Sequence, residues 1–134
     1  MSASDPVVLE GVHCTIAVSR PAERTVLVHI TGLDVGELGD RPFAILDEVL
    51  GAGGDFDLYI DAREARGPSV DVSARWASWL RSRRPRFHLV NMLTRSRFVQ
   101  LTADFVQRFA ELDCMRIFTD PAAFDTAFEI SVRG

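Results

Sequence analysis

The chain has 134 residues, 47% of them hydrophobic, and a formal net charge of −4. This is the size and composition of one domain able to bury its own core, which excludes disorder over the whole chain. No apolar run is long enough to cross a bilayer, and the polar, acidic first six residues lack the charged-then-apolar order of a secretory signal, so a cytoplasmic location and no membrane partner are the default expectations.

Residues 1–11 read as a loose lead-in. Residues 13–19 form a strand that ends at Arg20-Pro21. Residues 25–30, where Val26, Val28 and Ile30 alternate with Thr25, Leu27 and His29, form its antiparallel hairpin partner. Three glycines and two acids make 31–39 a loop. Asp40 then caps a helix over 41–50 with Pro42 in its first turn, and Gly51, Gly53 and Gly54 end it. A third strand covers 56–61, and a loop broken by Gly67-Pro68 covers 63–71.

A second helix runs over about 73–83, with Val72, Trp76, Trp79 and Leu80 on one face, and Pro85 stops it. The mostly apolar stretch 87–93 is a central strand. Ser96 caps a third helix over 97–112, the most regular amphipathic pattern in the chain. Phe98, Leu101, Phe105, Phe109 and Leu112 share one side of it, with Val99 and Val106 widening the stripe, and the first four are expected to pack against the sheet or a partner subunit. Residues 115–118 are a short fifth strand, and Asp120-Pro121 opens a last helix over 121–128. The order ββαβαβαβα predicts one α/β domain: a mixed, mostly parallel five-stranded sheet with about four helices.

That order resembles the domain shared by sporulation anti-sigma-factor antagonists and the cytoplasmic tails of sulfate transporters, the STAS or SpoIIAA-like fold. The resemblance covers roughly residues 12–130. It is strongest in Phe56-Asp57-Leu58-Tyr59-Ile60-Asp61, which is similar to the strand before the switch loop. The second echo is Ile117-Phe118-Thr119-Asp120-Pro121-Ala122-Ala123-Phe124, similar to the last strand and helix. In the antagonists a serine at the start of the second helix, in an Asp-Ser-Ser/Thr-Gly context, is phosphorylated. Here Asp61 is followed by a longer loop without that signature, and Ser69 and Ser73 are the serines of the corresponding region. The resemblance implies a non-catalytic protein-interaction module in bacterial signalling.

Charge is unevenly spread. All 15 basic residues are arginine, and nine of them lie between Arg63 and Arg97 against only Glu64 and Asp71, so that stretch carries +7 and the rest −11. Such a stretch predicts a basic face for an acidic protein partner or for a second copy of the chain, with Arg75, Arg81, Arg83 and Arg84 in the contact and Trp79 as its apolar anchor. The acidic total and the lack of any nucleic-acid motif argue against nucleic acid. Ligand sites of parallel sheets lie at the carboxyl ends of strands, where Ser96 with Arg95 and Arg97 is the candidate for holding an anion in a small-ligand alternative.

No catalytic set stands out. There is no GxSxG, P-loop or GxGxxG, and His13, His29 and His88 have no partner at metal or triad spacing. Cys14 and Cys114 form no CxxC pair and read as reduced, partly buried thiols. No enzyme activity, cofactor or metal is expected; an enzyme of unrecognised type is the third alternative.

Overall fold

Alternating apolar side chains set the register of the opening hairpin. Strand β2 (Cys14–Ala22) pairs antiparallel with β3 (Thr25–Asp34), placing Ile16 opposite Ile30 and Val18 opposite Val28. These are the positions whose one-residue slip would turn the core face outward. The computed structural model describes residues 5–134, and the lead-in residues 1–4 lie outside the described residues. Part of the expected lead-in is ordered after all: β1 (Val7–Glu10) adds antiparallel to β2 and buries Leu9.

The sheet therefore has six strands rather than five, in the order β1-β2-β3-β4-β5-β6. Strands β3, β4 (Phe56–Pro68), β5 (Phe87–Thr94) and β6 (Met115–Phe118) are parallel. Crossovers of one hand stepping in one direction along a sheet put their helices on one face. Helices α1 (Arg41–Leu50), α2 (Val70–Ser82) and α3 (Arg97–Ala110) accordingly share one core with Ile16, Val28, Leu58, Ile60 and Val90. Helix α4 (Pro121–Arg133) follows the last strand and covers the other face alone, through Tyr59, Leu93 and Phe124.

The predicted loop over 63–71 is instead a continuation of β4. It keeps pairing with β3 as far as Gly67 with Leu33 and Pro68 with Asp34, across two register shifts. The glycine and proline that suggest a loop are what end the strand: Gly67 takes φ 135° and Pro68 sits at the last position, where no ladder donor is needed. Ser69 then caps α2, three residues earlier than the pattern of Trp76 and Trp79 suggests. A Cβ on Gly67 would lie 2.8 Å from a ring carbon of Phe98. Gly67→Ala is expected to cost about 1–3 kcal/mol from the strained backbone, read as a lower midpoint in urea unfolding; an unchanged midpoint would rule out this conformation.

The orientation of α3 corrects the sequence reading. Val99, Ala103, Val106 and Ala110 are the buried face, while Phe98, Leu101, Phe105 and Phe109 are 47–65% exposed and do not pack on the sheet. At 3.6 residues per turn the two faces lie about a third of a turn apart. Ala103 and Ala110 let the helix lie close to the sheet and α2, where a row of phenylalanines would hold it away.

Candidate functional site

The outer face of α3 is the most distinctive surface among the described residues. Phe105 and Phe109 stack at 6.0 Å between centroids, and the Phe98 ring lies against Gly67 at the end of β4. The stripe thus runs from the carboxyl end of β4 to the last turns of α2, where the Arg81 guanidinium lies 5.7 Å over Phe109. Taking about 200 Å² per large side chain, four at these exposures leave roughly 450 Å² of apolar surface open. That is the size of the largest apolar patch on an ordinary monomer, and such patches are often functional.

Exposed arginines border the stripe. Among the described residues the side chains of Arg66, Arg95, Arg97 and Arg108 have no ion pair, hydrogen bond or ring contact, and all four residues are exposed. Arg66 precedes the glycine under Phe98, Arg95 and Arg97 flank the Ser96 cap, and Arg108 follows Leu101 by two turns.

The other arginines of the basic stretch, Arg86 apart, lie against carboxylates. Arg75 pairs with Asp40 at 3.1 Å, and Arg81 and Arg84 share Glu111 at 3.9 and 3.0 Å. Arg83 donates to both oxygens of Asp47, with Nη2–Oδ2 at 2.7 Å, and lies 5.2 Å over the Trp79 ring. Arg86 donates to the carbonyls of Gly51 and Gly53. Arg63 is on the opposite side of the sheet from these helices, donating to Asp61 and to Asp125 of α4; those two bonds hold its guanidinium above its ordinary pKa.

Trp79 is not the exposed anchor that the sequence suggests. It is 6% exposed, among Phe43, Trp76 and Phe87, and its Nε1 donates to Asp47 Oδ1 at 2.9 Å. The single basic face is corrected with it, because Asp40 just before α1, Asp47 on α1 and Glu111 just after α3 lie against its arginines. Sequence reading missed these partners because they are 27 to 36 residues away along the chain.

The remaining candidates are placed as follows. Ser69 is half-buried as the cap of α2, its Oγ accepting from Val72 N; Ser73 is buried and its Oγ donates to the Ser69 carbonyl at 3.0 Å. Ser96 caps α3 by accepting from Val99 N and is tied to Thr94 through Ser96 N and Thr94 Oγ1 at 3.1 Å. Each histidine has one carboxylate partner: Glu37 for His13, Glu64 for His29 and Asp57 for His88. No three such groups converge on a metal position among the described residues.

Glu37 accepts from the backbone N–H groups of Val12, His13 and Cys14, and the His13 bonds above all hold its carboxyl below the ordinary range. The Cys14 thiol beside it is pushed up to about 11, chiefly by burial and then by Asp34 and Glu37. Burial pushes the Cys114 thiol up as well. Neither is a thiolate nucleophile near neutral pH.

Two spaces border α3. A cavity of about 50 Å³ between α2, α3 and the sheet is lined by Ile60, Trp76, Leu80, Met92 and Val106 among others. An open groove of about 730 Å³ beside the Arg84–Arg86 turn carries Arg84 and Arg108 with Glu111 and Asp113. Its mixed charges give it no preference for an ion of either sign. Among the described residues no helix is long and apolar enough to cross a membrane.

No protein-family model and no curated protein matches the chain. Among solved structures it is similar to an uncharacterised protein of the DUF3478 family with a SpoIIAA-like fold from Shewanella loihica PV-4. The TM-score is 0.64 at 14% identity, over 90% of this chain and 98% of that one. It is also similar to an anti-sigma factor antagonist from Mycobacterium paratuberculosis, with a TM-score of 0.58 at 9% identity over 96% of this chain and 95% of that one. The fold is SpoIIAA-like, as the strand and helix order implied, with one strand more than expected.

Proposed function

We propose that this chain is a non-catalytic protein-interaction module of a regulatory kind, acting in the bacterial cytoplasm. The observation that carries the reading is the outward apolar stripe of α3: four large side chains held in the open by a helix whose other face already satisfies the core. A domain gains nothing in stability from that row, and its place in the molecule is understood if another protein covers it. The shared fold of an anti-sigma factor antagonist supports a regulatory role. Within this reading Ser69 is the serine open to modification, since Ser73 is enclosed. A phosphate at the first turn of α2 adds charge that the helix N-terminus favours.

The test is affinity purification from the native cell, followed by reconstitution of any co-purifying protein with the purified chain on a sizing column. A complex that re-forms from the two purified components is expected. A chain that elutes alone, and that releases a small molecule on denaturation, would replace this reading with the ligand-binding one.

A further inference from the structure

We infer that the α3 stripe docks a partner helix whose own apolar face is flanked by glutamates and aspartates; this rests on the interaction-module reading and names the partner's chemistry. Arg66, Arg95, Arg97 and Arg108 around the stripe have no carboxylate partner among the described residues, although the chain as a whole is acidic, whereas Arg75 and Arg81 on α2 and Arg83 and Arg84 just after it lie against Asp40, Asp47 and Glu111. Around α3, Leu101 is followed by Arg108 and then Arg97, and the nearest carboxylate of the helix, Asp104, lies beyond both. Arg66 and Arg95 extend the same charge at the Phe98 end.

About 450 Å² of apolar surface falls short of the roughly 800 Å² per partner of a standard interface. The footprint must therefore reach past the stripe onto Arg97 and Arg108, which a stable complex would leave buried and unpaired unless the partner brings carboxylates.

A second copy of the chain fits less well. Pairing two α3 stripes antiparallel about their centre brings each stripe's arginine edge against its own copy, setting Arg97 opposite Arg108 of the second molecule. An anionic membrane is disfavoured by the net charge of −4, which opposes approach of the whole domain to a negative surface.

The experiment uses the full chain and fluorescence anisotropy with a labelled helical peptide carrying leucines on one face and glutamates on both flanks. Its lysine-flanked counterpart and phosphatidylglycerol vesicles are run beside it. Saturable binding of the glutamate peptide is expected, at least about tenfold tighter than the lysine peptide, with affinity falling as salt rises. Phe105→Ser and the pair Arg97→Glu, Arg108→Glu should each weaken it about tenfold or more while leaving the circular dichroism unchanged, since all three positions are exposed.

Equal binding of both peptides, or binding unaffected by these substitutions, overturns the inference. So does vesicle binding without peptide binding. A concentration-dependent dimer in sedimentation, lost in Phe105→Ser, would assign the stripe to a second copy instead. If a reconstituted partner binds the variants as well as the native chain, this surface is wrong while the interaction module stands; if no partner protein re-forms a complex, the module reading itself has failed.

Discussion

Trp79→Ala is expected to lose about 3–5 kcal/mol of folding stability in urea unfolding, the range for removing a buried large aromatic side chain. The ring is enclosed by Phe43, Trp76 and Phe87 at centroid distances of 6.2, 6.1 and 5.8 Å, so alanine leaves a cavity at the junction of α1, α2 and β5. It also removes one of the donors to Asp47 and the ring under Arg83. Asp47 keeps both bonds from Arg83, so Trp79→Phe, which retains most of the ring, is expected to cost much less than the alanine change. The control is Phe105→Ala. On an exposed position it should change stability by less than about 1 kcal/mol. A large loss at Phe105 together with a small one at Trp79 would mean that α3 is turned the other way and α2 is displaced.

Phe124→Ala should cost a similar amount, about 3–5 kcal/mol, for a different reason. The core on the α4 side is small, and Phe124, 2% exposed, sits at its centre with Tyr59 at 5.5 Å and Phe118 at 5.9 Å, both edge-on. Hydrogen bonds also hold α4: the Tyr59 hydroxyl donates to the Ala127 carbonyl at 2.8 Å, the Thr25 hydroxyl to the Ser131 carbonyl at 3.2 Å, and Arg63 to Asp125. Losing Phe124 is therefore expected to free α4 first. Hydrogen exchange should accelerate in Pro121–Arg133 more than in α1 or α2. Uniform acceleration over the whole chain, or a loss below about 1 kcal/mol, would show that α4 is not a separately anchored element. Asn91 lies buried on β5, and neither polar atom of its amide has a hydrogen-bond partner among the described residues; nothing in the structure explains it.

The elements legible in the sequence were those with strong local signals. Helix α1 runs over the predicted 41–50 because a proline opens it and glycine closes it at φ 58°. The central strands and α3 follow from their periodicity, and α4 starts where Asp120-Pro121 puts it, though it continues five residues past the predicted end. What failed were boundaries decided by pairing. The β1 strand exists because the edge of β2 was free to accept it, and β4 runs on through 63–68 because β3 lies alongside.

The candidate site shows the same division. Sequence alone determined that α3 has an apolar stripe of Phe98, Leu101, Phe105 and Phe109, that arginines concentrate between Arg63 and Arg97, and that the domain is α/β. Only the tertiary structure decided which side of α3 faces inward, because that choice depends on the fit of Ala103 and Ala110 against the sheet and α2 rather than on hydrophobicity summed along the helix. It also decided which arginines keep their charge available. Ion pairing needs a carboxylate within about 4 Å, and it is the folding of α1 and the end of α3 around α2 that brings Asp40, Asp47 and Glu111 to Arg75, Arg83 and Arg84, leaving Arg97 and Arg108 beside the stripe without partners.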